Sequence, residues 1–207
     1  MATEIVDIGL KRMPNSYRLL VQKGVMLDGL GRRTEAKEIF RSAMKLRNDN
    51  SVALVGLAII ELNEGETARA VQTLGDGFQK FPSEPYLLYC YGYALAKWAD
   101  MNNDRPDIAE NARSVLQRAV RLNSEYPESY YHLGKVYLRT DKQAAIRNFE
   151  MALQLDPTYS ASKYQLARLY MQTGRREEGL RLMSEVQKDM SGTLEDERKP
   201  QLKIVRR

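Results

Sequence analysis

Few side chains in this 207-residue sequence have the chemistry that catalysis or metal binding requires. His132 is the only histidine and Cys90 the only cysteine, so this chain alone supplies neither a multi-histidine metal site nor an internal disulfide. HExxH, GxSxG and phosphate-binding glycine motifs do not occur. A single histidine on a helix most often packs between helices or lies at the surface. The sequence therefore predicts a protein that is not an enzyme and uses no cofactor or metal.

Tyrosine and cationic side chains, by contrast, recur at helical spacing and suit the binding of a peptide. Tyr131, Lys135 and Arg139 are four residues apart, which places them on one face of a helix. A buried interface tyrosine can contribute about 2 kcal/mol or more, whereas an exposed ion pair contributes about 0 to 1 kcal/mol. We expect the tyrosines to provide affinity and the cations to orient the partner. The predicted set is Tyr89, Tyr93, Lys97, Tyr131, Lys135, Arg139, Tyr164 and Arg168.

An apolar set occupies the equivalent helix positions nearer the N-terminus. It consists of Val21, Val25, Val55 and Ile59. Two interpretations are open for these four residues. They form the apolar end of the same binding groove, or they are covered by further repeats that precede this sequence.

The elements that must position these side chains are pairs of short amphipathic helices. Residues 130–157 contain the clearest pair, in which Tyr130 and Gly134 share one face of the first helix. Ala145 and Phe149 share one face of the second helix. A glycine inside a helix costs about 1 kcal/mol relative to alanine, so Gly134 indicates close approach of a neighbouring helix. One pair cannot bury enough apolar surface to be stable alone, so several pairs must stack.

The spacing of small residues indicates that this pair is repeated along the chain. The small residue of the first helix recurs as Gly24, Ala58, Gly92, Gly134 and Ala167, at intervals of 34, 34, 42 and 33 residues. That of the second helix recurs as Ala36, Ala70, Ala112, Ala145 and Gly179, at intervals of 34, 42, 33 and 34 residues. Both length changes fall between the two helices of a repeat, where loops tolerate them. We therefore predict that residues 97–108 form a longer loop in the third repeat.

Further positions follow the same register. The predicted turns carry Gly31, Gly65 and Gly174. The large apolar position of the second helix is occupied in turn by Phe40, Leu74, Leu116, Phe149 and Met183. Two repeats end at a proline, Pro82 and Pro157. From Tyr17 to Met190 the sequence resembles the tetratricopeptide repeat family. It departs from the family pattern at Lys23, Glu61, Gly77 and Val186. The resemblance implies an all-α fold, a right-handed α-solenoid of antiparallel helix pairs, whose first helices line a concave groove.

The family resemblance also excludes one mode of binding. Some tetratricopeptide domains hold chaperone C-termini through a clamp of Lys, Asn and Arg side chains. The candidate positions here carry Val21, Val25, Gly56, Tyr86 and Cys90, so that clamp is absent.

The repeat register divides the sequence into three parts. Residues 1–14 form the second helix of a partial repeat or an N-terminal cap, and a fragment of a longer solenoid is the favoured alternative. Residues 15–190 form five repeats, at 15–50, 51–84, 85–126 with the inserted loop, 127–159 and 160–190. Residues 191–207 are expected to be a flexible tail, with the alternative that Leu202, Ile204 and Val205 fold back over the exposed edge.

Composition and the N-terminus bear on the compartment. The chain is 43% hydrophobic and 29% charged, with a net charge of +5. No apolar run approaches the roughly 18 residues of a membrane span, and residues 1–14 do not resemble a signal peptide. A cytoplasmic location is favoured, with an exported form that has lost its signal as the alternative.

We interpret the sequence as a non-catalytic scaffold that binds an extended peptide or partner helix in its groove, with acidic groups expected on the partner. Replacing Tyr131, Lys135 and Arg168 together is then expected to abolish binding without loss of helix. Self-association through the solenoid ends is a further option. The alternative from another class is a regulatory or docking segment of a larger enzyme. Single-stranded RNA binding is a weaker third alternative, because acidic residues are interspersed throughout.

Overall fold

A computed structural model describes residues 2–102 and 105–189 of the chain. Within these ranges the secondary structure is entirely α-helical, with eleven helices and no strand. The helices are α1 (Ala2–Arg12), α2 (Tyr17–Gly29), α3 (Arg33–Leu46), α4 (Val52–Asn63), α5 (Thr67–Lys80), α6 (Pro85–Met101), α7 (Pro106–Leu122), α8 (Pro127–Tyr137), α9 (Lys142–Leu155), α10 (Ser160–Gln172) and α11 (Arg176–Asp189). The predicted tail, residues 191–207, lies outside the described residues.

The described residues divide after Trp98, near the end of α6, into two compact units. In unit 1, which ends at Trp98, each of the helices α1 to α5 packs on its neighbour in sequence. In unit 2, which begins at Ala99, the same holds for α7 to α11. Helices joined by turns this short pack antiparallel. The predicted fold class, an all-α fold of stacked helix pairs, is confirmed.

The glycines predicted in the turns adopt a conformation that favours glycine. Their φ angles are +75° at Gly31, +79° at Gly65 and +87° at Gly174, in the left-handed region. In each turn the following residue donates its N–H to a carbonyl five residues back, as from Arg32 to Leu27 at 2.8 Å. This bond satisfies a carbonyl at the helix end and closes the turn between the two helices of a repeat.

Large and small residues of the repeat meet as the spacing indicates. The Phe40 ring lies against both Gly24 and Gly56, where an added Cβ would be 2.7 Å from ring carbons. The Phe149 ring packs in the same way against Gly134. These glycines let an aromatic ring of the second helix approach the backbone of a first helix. We call the buried residues around the first ring the Phe40 cluster: Leu20, Val21, Leu27, Ala36, Phe40, Ala43, Ala53, Leu57 and Ile60.

The insertion in the third repeat differs from the expected long loop. Helix α6 continues to Met101 and α7 already begins at Pro106, so each of these helices has 17 residues. Ala99 is buried, which allows the helix to continue through the start of the insertion. Pro106 suits the first turn of α7, because its missing N–H would have no helical partner there. Most of the insertion therefore lengthens helices and does not form a loop.

Glu61, which replaces the usual tyrosine of the repeat, lies inside unit 1. Its side chain is 2% exposed and accepts a hydrogen bond from the Thr73 hydroxyl at 2.9 Å. Burial raises the pKa of the Glu61 carboxyl, because the charged form is poorly solvated there. Lys37 lies nearby and pairs with two other carboxylates, Glu64 and Glu66.

Exchanging Glu61 for glutamine is expected to stabilise the protein at neutral pH. The raised pKa means that the folded state disfavours the ionised carboxyl. The penalty is absent below the ordinary pKa of 4.5 and grows as the pH rises through the higher pKa of the folded state. Glutamine keeps an acceptor for Thr73 without the charge. The free energy of unfolding, measured in urea, should rise by about 1 kcal/mol at pH 7 and change little at pH 4.

The matched control is Glu64→Gln, because Glu64 pairs with Lys37 at the C-terminal end of α4. That exchange should lower the free energy of unfolding at pH 7. A Glu61→Gln variant that is also less stable than wild type at pH 7 would contradict the prediction, since the attraction of Lys37 would then outweigh the cost of burial.

None of the helices in the described ranges combines the length and the hydropathy of a membrane span.

Candidate functional site

The predicted cationic residues of unit 2 lie on the first helices of two successive repeats or in the turn directly after one of them. Lys135 is a half-buried residue of α8, and Arg139 is exposed in the turn that follows this helix. Arg168 is exposed on α10, where its guanidinium carbon is 5.8 Å from the centroid of the Tyr164 ring. Tyr164 is itself half-buried. A cation over an aromatic ring contributes about 0.5 to 1 kcal/mol at an exposed site. This contact therefore restrains the orientation of the Arg168 side chain.

A pocket opens beside Arg168, between the end of α8 and the face of α10. Its volume is about 190 Å³, and both apolar and polar side chains line it. The lining residues are Leu138, Gln165, Arg168, Leu169 and Gln172. Small-molecule sites usually measure about 300 to 1,000 Å³, so this pocket suits a single side chain of a bound peptide better than a metabolite.

Gln165 and Leu169 are absent from the residues that the sequence spacing predicts for the site. Of these two, only Gln165 could have been found from the sequence, because it precedes Arg168 by three residues and therefore shares its helix face. Leu169 also belongs to the buried apolar core of unit 2, and sequence gives no sign that its edge reaches the pocket.

Tyr131 does not lie on the accessible surface of α8. Its side chain is 1% exposed and is surrounded by other rings. The ring centroids of Phe149 and Tyr159 are 5.7 Å and 5.0 Å away, and that of His132 is 5.0 Å away. Tyr131 therefore packs the core between α8, α9 and the start of α10. This placement changes the role expected for it, from a groove side chain to a core side chain.

The turn that follows α10 is held by a group of polar and aromatic side chains. The Tyr170 hydroxyl donates to a Glu150 carboxylate oxygen at 2.5 Å, and the Arg175 guanidinium stacks 3.6 Å from the Tyr170 ring centroid. Burial and the adjacent carboxylate raise the pKa of Tyr170 to about 12, so the phenol remains a donor at neutral pH. These contacts fix the end of α10 and with it the pocket face.

The apolar set lies in unit 1 and is largely buried. Val21, Val55 and Ile59 are buried, and Val25 is half-buried against the Phe40 cluster. Successive residues of a helix are about 100° apart, which places Val55 and Ile59 on the side of α4 away from that cluster. Val21 is a member of the Phe40 cluster and contributes to packing. As a site for a partner, this set stays a prediction.

The predicted residues of α6 in unit 1 are also engaged in the fold. Tyr89 and Tyr93 are buried. The Lys97 ammonium is half-buried and donates to the Leu62 carbonyl at 3.3 Å, in the last turn of α4. A cation at the C-terminal end of a helix is stabilised by the helix dipole. Lys97 therefore has a structural role in joining α6 to α4.

Fold and surface together define the class of this protein. It is a helical-repeat protein, built from stacked pairs of helices, with a small pocket beside the first helix of the last pair.

Comparison with known proteins gives the family. A tetratricopeptide repeat model matches residues 29–89 and 140–192, and a second model of this repeat matches residues 109–141. The chain belongs to the tetratricopeptide repeat family.

Individual relatives agree with this assignment. The chain is 30% identical over 135 residues to the photosystem I assembly protein Ycf3 of Synechococcus sp. (strain CC9605). The aligned region covers 58% of this chain and 78% of that protein. The structure of the tetratricopeptide repeat protein TTC0263 from Thermus thermophilus is 26% identical, with a TM-score of 0.69 over 86% of this chain and 94% of that chain. The structure of YrrB, described as a tetratricopeptide repeat protein with an unusual peptide-binding site, is 17% identical in sequence. Its TM-score is 0.66, and the match covers 91% of this chain and 94% of YrrB.

Proposed function

We propose that this chain is a non-catalytic scaffold that binds an extended peptide or a partner helix carrying acidic groups. The observation that carries the proposal is the pocket beside Arg168, with Lys135 on the preceding first helix, α8, and Arg139 in the turn that follows it. A side chain of the peptide would enter the pocket between Leu138 and Leu169, and a carboxylate next to it would meet the arginine. Arginine suits this task because its planar fork can bind a carboxylate through two hydrogen bonds.

The relatives support a role in protein interaction. Ycf3 is named for the assembly of photosystem I, and YrrB is described by its peptide-binding site. A helical repeat offers an extended surface that can hold another protein. We therefore extend to this chain the binding of a protein partner. A cytoplasmic location, self-association and the acidic character of the partner remain parts of the proposal.

The burial of the two residues best able to act as nucleophile or base supports a non-catalytic role. His132 is buried in α8, where its ring makes an edge-to-face contact with the Tyr131 ring. Cys90 is completely buried in α6. Neither position gives the access to a substrate that nucleophilic or acid–base catalysis requires.

Reversing two charges at the pocket is expected to weaken peptide binding. Peptides of about twelve residues, roughly 40 Å when extended, would first be selected from a displayed random library on this chain. Those that bind should be enriched in Asp and Glu. The double variant Lys135→Glu, Arg168→Glu should bind the selected peptides about 10-fold more weakly or worse, because two attractions become repulsions. Fluorescence anisotropy at fixed ionic strength measures the change, and higher salt should weaken binding to wild type.

The matched control reverses two exposed cations on α11, Arg176 and Arg181. This variant has the same net charge as the pocket variant, so a general electrostatic effect would weaken both equally. Equal loss in both variants, or selected peptides without acidic residues, would refute the assignment of this pocket.

A further inference from the structure

The pocket beside Arg168 has the size of a single aromatic ring. Its volume is about 190 Å³, and all of its lining residues belong to unit 2. An apolar protein cavity of about 150 Å³ holds a molecule of benzene, so this pocket has room for a phenyl ring and the carbon that joins it to a peptide. A smaller aliphatic side chain such as leucine would leave part of the space unfilled and lose contacts with the lining.

The pocket combines two apolar with three polar side chains. Leu138 is half-buried and Leu169 is 2% exposed, so these two provide an apolar interior. Arg168 and Gln172 are exposed at the mouth, and Gln165 is half-buried between them and the interior. A carboxylate placed against the two leucines would lose its solvation. The interior of the pocket therefore disfavours an acidic side chain, although a cation stands at its mouth.

An aromatic ring suits the polar side chains of the pocket better than an aliphatic group does. The face of a ring carries partial negative charge, which attracts a guanidinium and the N–H groups of an amide. Helix α10 already uses this contact, since the guanidinium carbon of Arg168 is 5.8 Å from the Tyr164 ring centroid. A planar guanidinium has two faces, so an arginine that contacts Tyr164 with one of them can contact a second ring with the other.

We propose that the pocket binds a phenylalanine or tyrosine side chain of an extended partner peptide, and that the acidic residue meeting the cations stands two positions from this ring in the peptide sequence. The inference rests on the proposed function, because it specifies which peptide the same site selects.

The separation of two positions follows from the geometry of α8 and of an extended chain. Lys135 precedes Leu138 by three residues, so the two side chains are neighbours on one helix face, about 5 to 6 Å apart at their Cβ atoms. Side chains of an extended peptide alternate between opposite faces, so residues two positions apart share a face and are about 7 Å apart. A carboxylate at that distance from a ring in the pocket lies beside Lys135, whereas one on the adjacent residue points away.

The dodecapeptides selected from the displayed library on this chain are the probe. They should contain Phe or Tyr with Asp or Glu two positions away. In a selected peptide, exchange of the aromatic residue for leucine should weaken binding about 5-fold or more, because the contacts of the ring with the cation and the amides are lost. Exchange between Phe and Tyr should change the affinity less. Fluorescence anisotropy measures these values, and a leucine peptide that binds as tightly as the aromatic one would overturn the proposal.

A variant of the protein tests the position of the ring. Gln172→Trp places a bulky side chain at the mouth of the pocket and should weaken the selected peptides about 10-fold. The matched control is Gln143→Trp, because Gln143 is an exposed glutamine of α9 outside the pocket. Equal affinity in wild type and Gln172→Trp, or equal loss in both variants, would refute the pocket as the binding site of the ring. If circular dichroism shows that Gln172→Trp loses helix, the exchanges in the peptide decide, since they leave the protein unchanged.

The outcomes separate this inference from the proposed function. Selected peptides that are acidic, and that lose affinity for Lys135→Glu, Arg168→Glu, but carry no aromatic residue refute only the ring. A peptide that binds equally after its acidic residue is moved from the second to the adjacent position refutes only the spacing. A library that yields no binding peptide overturns this inference and the proposed function together.

Discussion

Replacing Phe40 with alanine is expected to lower the free energy of unfolding by about 3 to 5 kcal/mol. The Phe40 ring is 1% exposed and fills the space between two first helices, against Gly24 of α2 and Gly56 of α4. Neither glycine has a side chain that could move into the cavity, so the gap would stay open. Urea unfolding followed by circular dichroism measures the loss, and the melting temperature should fall by roughly 10 °C.

The control for this exchange is Leu46→Ala on the same helix, because Leu46 is 43% exposed and leaves no internal cavity. A double-mutant cycle tests the cause more directly. Gly56→Ala alone places a methyl group 2.7 Å from the ring and should cost about 1 to 3 kcal/mol. In a chain that already carries Phe40→Leu the same exchange should cost much less. Additive losses would contradict the contact between ring and glycine as the cause.

The fold was largely predictable because its determinants are local and repeated. Gly31, Gly65 and Gly174 are expected in turns from spacing alone, and each has a positive φ. A glycine at the end of a helix and an aromatic residue opposite a small residue act over short distances, so their pattern is visible in sequence. The insertion was harder to predict. Whether Trp98 to Met101 continue a helix depends on burial against the rest of the fold, and turn-forming residues such as Asn102 obscure that continuation.

The site was only partly predictable, because periodicity identifies a helix face but not its exposure. Tyr131 and Lys135 are four residues apart on one face of α8, yet the tyrosine is buried and the lysine is half-exposed. Tyr131 is packed by Phe149 of α9 and by Tyr159, which precedes α10. These residues lie 18 and 28 positions later in the sequence, and no spacing rule within α8 contains that information.

The burial of Tyr131 leads to the second prediction with a large effect. Tyr131→Ala should lower the free energy of unfolding by about 3 to 5 kcal/mol, because it removes a ring at the centre of an aromatic cluster with Phe149 and Tyr159. Tyr131→Phe keeps the ring and should cost at most about 1 to 1.5 kcal/mol for the lost hydroxyl. Urea unfolding of both variants against wild type measures the two values.

This pair of variants also decides how a binding defect is to be interpreted. A triple variant that includes Tyr131→Ala, together with Lys135 and Arg168, would lose binding through unfolding of unit 2 even if the tyrosine never touched a partner. The sequence alone suggested that this triple variant would keep its helix content. The burial of Tyr131 leads us to expect a loss of helix. Anisotropy with the selected acidic peptides should give the same affinity for Tyr131→Phe as for wild type. A large loss of affinity in Tyr131→Phe with unchanged stability would contradict a purely packing role. It would indicate that the Tyr131 hydroxyl contacts the partner.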